Sequence, residues 1–134
     1  MPSGPEQLTP AALEFLIVRH LASFTTLRPD GTPHVTPVGF TYDPQTHHAR
    51  IITSGSSHKA RHASLGGPVA LCQIDGRQWL TLEGTAEVHD TPVRVADAVA
   101  RYALRYRTPR ENPTRVVIEI AVGRVLGSPV FLDD

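Results

Sequence analysis

The sequence has a single cysteine, a single lysine and no excess of charge: thirteen basic residues balance thirteen acidic ones over 134 positions. One cysteine, Cys72, excludes an intrachain disulfide framework and any cysteine-rich zinc site, and reads as a small buried hydrophobe. Charge balance excludes the broad positive field of a general nucleic-acid binder, so no nucleic acid is expected as a partner and any recognition of anions has to be local. No apolar run approaches the roughly eighteen residues that span a bilayer. The opening residues, MPSGPEQLTP, have neither the basic start nor the apolar core of a signal peptide. The expectation is a cytoplasmic protein with no membrane partner, folded as one domain over residues 1–134, with residues 1–8 as a flexible N-terminus. Glycine-rich nucleotide fingerprints, an HExxH zinc motif and a nucleophile elbow are also missing. Covalent catalysis by a side chain is not expected, and no residue stands out as catalytic.

What is there has the punctuation of a small antiparallel barrel. Thr9-Pro10 has the form of a helix cap followed by proline at the first helical position, which predicts a helix from Pro10 to about His20. LASFTTL reads as a strand, and RPDGTP as the turn into a second strand from His34 to Tyr42. A third strand, Ala49 to Thr53, leads through a serine-rich loop into a helical turn from Lys59 to Leu65, stopped by Gly66 and Gly67. VALCQID predicts a strand buried on both faces, and Asp75-Gly76 turns it into a long strand from Gln78 to His89. Thr91-Pro92 opens a second capped helix, with Val95, Val99, Tyr102, Ala103 and Tyr106 on one face, ending near Arg107. The last strand spans Val116 to Leu126. Six strands joined mostly as hairpins, with short flanking helices, predict a mainly β, α+β split barrel.

Three features invite a chemical reading. Strand alternation puts Trp79, the only tryptophan, on the polar side with Thr81, Glu83, Thr85 and Glu87. A large apolar ring there calls for a cover, either a ligand, lid or second subunit, or a helix of the same chain. Lys59, the only lysine among twelve arginines, follows Thr53, Ser54, Ser56 and Ser57 and precedes Arg61 and His62. Hydroxyls, helix-start N–H groups and an ammonium make a phosphate cradle; a solvated surface loop has the same composition. His58 and His62 stand one helical turn apart and, with His34 or His47, have the makings of a metal set. No carboxylate motif accompanies them, and no metal is expected.

The ordered segments FTTLRPDGTPHVTPVGF, RIITSGSSHKARHA, VALCQIDGRQWLTLEGTAEV and RYRTPRENPTRVVIEI, with RVLGS near the C-terminus, resemble the pyridoxamine 5'-phosphate oxidase-like split β-barrel superfamily. Within it they are similar to the actinobacterial deazaflavin (coenzyme F-420)-dependent reductases of the FDOR-B type. The resemblance covers nearly the whole chain. It implies a homodimer with a cofactor in each of two clefts between subunits. His34, Val35, Thr36, Pro37 and Val38 would lie along the tricyclic ring, and Ile52, Thr53, Ser54, Ser57, His58, Lys59 and Ala60 would hold the ring edge and phosphate. Trp79 and Gln73 would contact the cofactor from neighbouring strands. Lys59, Arg61 and Arg50 would meet its anionic groups.

The implied activity is hydride transfer from reduced F-420 to a conjugated organic acceptor, a biliverdin-like tetrapyrrole being the named candidate. FMN is the alternative cofactor, and a non-catalytic cofactor-storage protein the alternative of another class. Vitamin B6 oxidation is disfavoured, because the oxidases proper carry a further C-terminal segment with substrate-handling Trp and Arg residues, whereas this sequence ends at Asp134.

Overall fold

The computed structural model describes residues 3–133. Seven strands form one antiparallel sheet: β1 (Ala22–Leu27), β2 (Pro33–Val38), β3 (Thr41–Asp43), β4 (His48–Ser54), β5 (Pro68–Asp75), β6 (Gln78–His89) and β7 (Arg115–Gly127). Their order across the sheet is β2-β1-β5-β6-β7-β4-β3. The two edge strands, β2 and β3, are consecutive in sequence and joined by Gly39 and Phe40 alone. A two-residue link spans well under 15 Å, so roughly, on backbone geometry, the sheet must curl until its edges meet. The split barrel follows from that link.

The inner face is lined by Phe24, Phe40, Ile51, Leu71, Leu80, Leu82, Ile118 and Ile120, all essentially inaccessible. They alternate with outward residues along each strand, as the two-residue period of a strand requires. β6 and β7, the longest strands, pair from Leu80↔Gly127 to His89↔Val117, with a bulge at Glu83/Gly84. A side chain at Gly84 would run into the Ala121 carbonyl, so the bulge is built where no Cβ stands. Gly31 and Gly76 take positive φ in the two Asp-Gly turns.

Three helices complete the fold: α1 (Pro10–Phe15), α2 (His58–Ala63) and α3 (Pro92–Arg105). Thr9 caps α1 by accepting from the Ala12 N–H, and Ser57 caps α2 by accepting from the Ala60 N–H. α3 packs on the outer face of β3, β4 and β7. Charges tie it down there: Arg94 Nη1 lies 2.8 Å from Glu119, Arg101 bridges Asp97 and Asp43, and Arg50 sits among Asp43, Asp97 and Glu119 at 3.7–3.9 Å.

The sheet has seven strands where six were expected, because the run His34 to Tyr42 breaks at Phe40. Its backbone groups are taken by side chains from the end of α3. Tyr106 Oη accepts from the Phe40 N–H at 3.1 Å, and Arg105 Nη1 donates to the Phe40 carbonyl at 2.7 Å. The same two residues shorten the first helix, which ends at Phe15 rather than His20. Arg105 Nε donates to the Val18 carbonyl and the Tyr106 hydroxyl to the His20 carbonyl. The segment read as a flexible N-terminus carries defined contacts where it is described: Ser3 bridges Val125, Pro5–Gln7 form a 3-10 turn, and Leu8 bridges Leu132. Its first two residues, Met1 and Pro2, lie outside the described residues.

Candidate functional site

The split in the barrel makes the cleft. β3 pairs with only the first half of β4, Thr41↔Arg50 to Asp43↔His48, so Ile51–Ser54 have β7 on one side and no strand on the other. β2 pairs only with β1. Two free strand edges therefore face a common gap, each offering alternate backbone N–H and C=O groups with no ladder partner. A cleft of about 370 Å³ occupies it, lined by Pro37, Val38, Ile52, Thr53, Ser54 and Lys59 from the expected set. Gly39, Ile51, Tyr102, Pro109, Asn112 and Arg115 complete the wall.

Asn112 and Arg115 went unread in the sequence. The register Ser54↔Arg115 brings the start of β7 beside the end of β4, and Asn112 Nδ2 donates to Ser54 Oγ at 2.9 Å. Asn112 Oδ1 in turn accepts from the Thr114 N–H and hydroxyl, which fixes the amide. Arg115 is anchored by a hydrogen bond from Nη2 to the Arg110 carbonyl. The cleft wall thus carries two cations, Lys59 and Arg115, and no carboxylate. In a site screened from water, that arrangement selects an anionic group.

Other expected residues stand elsewhere. Val35 faces out from β2, 60% exposed, while His34 and Thr36 are half-buried on the inner side opposite Thr26 and Phe24. Ser57 Oγ accepts from the Ala60 N–H and the Thr53 hydroxyl, which shapes the loop and leaves its own O–H as the donor it can offer. Ala60 is on the buried side of α2, and His58 is exposed. Arg61 ties the loop through Nε and Nη2 to the Ser56 carbonyl. Arg50, expected to meet anions, is instead enclosed by three carboxylates beneath α3.

Gln73 is a core residue, 1% exposed. Nε2 donates to the Phe15 carbonyl at 2.8 Å, and Oε1 accepts from Arg105 Nη2 at 2.6 Å. Both ends of its amide are committed within the barrel, so the contact expected between Gln73 and a cofactor is not made from here. Arg105 itself stacks on the Phe40 ring at 4.7 Å, and burial holds its pKa below the ordinary value. Its sequence signal was a basic residue on the apolar face of α3, beside Tyr102 and Tyr106.

His34, His58 and His62 do gather, with ring centroids 4.9–6.3 Å apart. His62 Nδ1 bonds Thr26 Oγ1 at 3.0 Å. Burial, then the neighbouring His34, Arg28, His58 and Arg61, lower the His62 pKa. Among the described residues no group of three or more His, Cys, Asp or Glu is placed to hold a metal ion.

Trp79 remains 39% exposed, paired with Ile74 across β5 and β6. Among the described residues α3 packs on β3, β4 and β7 and α2 on β1, β6 and β7, while Val35, Ile74 and Trp79 stay exposed on the outer face of β2, β5 and β6. Trp79 is not among the residues that line the cleft of its own chain.

A split barrel with a cation-lined cleft between unpaired strand edges defines a class, and the chain belongs to the pyridoxamine 5'-phosphate oxidase family, whose profile matches residues 8–128. It is 57% identical over 127 residues to an F-420H(2)-dependent biliverdin reductase of Mycobacterium tuberculosis (strain CDC 1551 / Oshkosh), covering 95% of this chain and 93% of that protein. Among solved structures, a conserved hypothetical protein from Mycobacterium tuberculosis matches with a TM-score of 0.76 at 20% identity over 90% of this chain and 84% of the other. An F-420 reductase matches with a TM-score of 0.70 at 24% identity over 88% and 98%. These two likenesses bear out the expected barrel.

Proposed function

We propose that the chain is an F-420-dependent oxidoreductase that reduces a conjugated organic acceptor of the biliverdin type, working in the cytoplasm as a homodimer. The observation that carries this reading is the cleft: two free strand edges for a planar ring with polar margins, and Lys59 with Arg115 for anions. The 57% identity to a protein named for this cofactor and substrate supports it.

A deazaflavin bound there supplies hydride, and its ring carbon, in place of the flavin's reactive nitrogen, disfavours one-electron chemistry with oxygen. The chain's own work is placement. Lys59, Arg115, Ser54 and Asn112 would hold the phosphate-bearing end, the last two already joined by a hydrogen bond. Backbone groups of Ile52–Ser54 and Pro37–Val38 would orient the ring edge. Val38 and Ile51, both buried, would give the ring an apolar floor within a mainly polar cleft. Among the described residues the cleft wall carries no histidine, cysteine or carboxylate, which fits chemistry carried by a cofactor.

The dimer rests on the apolar residues exposed on the outer face of β2, β5 and β6. Val35, Ile74 and Trp79 are 60%, 57% and 39% exposed on that face, and Pro37 lies on both the face and the cleft. A second copy seated there would bury the apolar residues and roof the cleft, with Trp79 of one copy against the cofactor of the other.

A side-by-side titration with F-420 and FMN, read by fluorescence, tests the reading. Saturable binding of F-420 in preference to FMN is expected. Preference for FMN would make the chain a flavoprotein, and F-420-loaded protein that never reoxidises with any acceptor would make it a carrier.

A further inference from the structure

A second cavity, of about 560 Å³, adjoins the cleft and shares one wall with it, Tyr102. It lies between the α1–β1 linker and the C-terminal end of α3. Tyr102 and Tyr106 stack at 4.8 Å and 32° to form an aromatic side, and Leu21, 58% exposed, adds an apolar one. Tyr106 is held rigid by its bonds to the His20 and Phe40 backbones. Gly39 marks the junction: a Cβ there would meet both tyrosine rings at 3.1 Å, so the β2–β3 link lies close against them.

The cavity's charge is one-sided. Arg19 and Arg107 line it, and no carboxylate does. Most arginines of this protein are committed, as Arg50, Arg94, Arg101, Arg105 and Arg115 show. Among the described residues Arg19 and Arg107 make neither an ion pair nor a side-chain hydrogen bond. Two free guanidinium groups flanking an aromatic wall match a planar conjugated molecule with two carboxylates, each guanidinium taking one in a two-pronged contact. The volume is that of a site for a ligand of drug size or larger.

Resting on the proposed deazaflavin reading, we infer that this cavity is the acceptor subsite and that Arg19 and Arg107 select a dicarboxylate acceptor, as a bilin with its two propionates is. The shared Tyr102 wall places the acceptor's conjugated system beside the cleft while its carboxylates stay at the rim. Arg19 and Arg107 are thus specificity residues for the acceptor and have no part in holding the cofactor.

The test is an equilibrium titration of biliverdin and of biliverdin dimethyl ester into wild type, Arg19→Ala and Arg107→Ala, read by induced circular dichroism of the bilin, with F-420 affinity measured on the same samples. Wild type is expected to bind the diacid at least tenfold more tightly than the ester. Each variant should lose about tenfold to a hundredfold for the diacid, the range for a charge-assisted hydrogen bond, and little for the ester. F-420 affinity should be unchanged, and both arginines are at the surface, so folding should not suffer. Unchanged diacid binding in both variants with F-420 binding intact would overturn the inference. Arginine-dependent diacid binding in a wild type that binds no F-420 would keep the subsite and overturn the proposed cofactor.

Discussion

Arg105 Nη2 and Gln73 Oε1 lie 2.6 Å apart inside the barrel, joining the end of α3 to the middle of β5. Through Arg105 the bond reaches the Val18 and Phe40 carbonyls, so one guanidinium closes the α1–β1 linker, the β2–β3 link and the core. Arg105→Ala strands three buried or half-buried acceptors at about 1–3 kcal/mol each, and urea denaturation should show a loss of about 3 kcal/mol or more. Gln73→Met, similar in volume, should cost about 1.5–3 kcal/mol by removing one partner of the charge. In whatever fraction folds, F-420 affinity should match wild type. A Gln73→Met protein of normal stability that has lost the cofactor would place Gln73 in the site after all.

Lys59→Ala and Arg115→Ala should each weaken F-420 binding by about 1.5–3 kcal/mol at low salt, with the difference narrowing as ionic strength rises. Lys59 makes no structural bond among the described residues, so its variant should melt as wild type does. Arg115→Ala frees the Arg110 carbonyl and should destabilise slightly as well. Fluorescence titration at two salt concentrations, beside thermal melts, separates the two effects.

Val35, Ile74 and Trp79, exposed on one face of the sheet, predict association. Light scattering at micromolar concentration should give twice the chain mass, and Trp79→Glu, placing a charge on that face, should give monomers with weakened cofactor binding. Cofactor addition should quench the single tryptophan strongly in wild type. A monomer that binds F-420 with wild-type affinity would remove the shared-cleft arrangement.

His62 makes stability depend on pH. Its pKa in the folded protein lies below the ordinary imidazole value, so the unfolded chain takes up the proton first. The contribution is complete above about pH 6.5 and is lost as pH falls through the folded value. His62→Gln should flatten the melting temperature between about pH 7 and 5 relative to wild type. An unchanged slope would assign the acid sensitivity to other groups, Asp43 first. Burial pushes that carboxyl up, but hydrogen bonds from Gln45 and Thr46 and the charges of Arg101 and Arg50 outweigh it and hold it low, which gives a loss at still lower pH.

Local signals in the sequence carried most of the fold. Thr9-Pro10 and Thr91-Pro92 mark the starts of α1 and α3, and Asp30-Gly31 and Asp75-Gly76 sit in their turns. The break at Phe40 was not legible because its cause is remote, in Arg105 and Tyr106, sixty-five and sixty-six residues away. Half of the cleft was unread for a similar reason, since only the β4–β7 register brings Asn112 and Arg115 to Ser54. Gln73 shows the opposite error. VALCQID reads as a strand buried on both faces, whereas the structure closes most tightly the face of Val69, Leu71 and Gln73, and burial there commits the amide to partners inside the barrel.

The central claim is tested most directly by a single turnover without oxygen: protein loaded with reduced F-420, mixed with biliverdin, and followed by the return of deazaflavin fluorescence and the loss of biliverdin absorbance. Wild type should return oxidised cofactor and consume biliverdin in equal amounts, and Lys59→Ala should do so only at higher cofactor concentration. Reduced F-420 that binds saturably yet is not reoxidised by biliverdin, under conditions where the Mycobacterium tuberculosis relative does reoxidise it, would contradict the account.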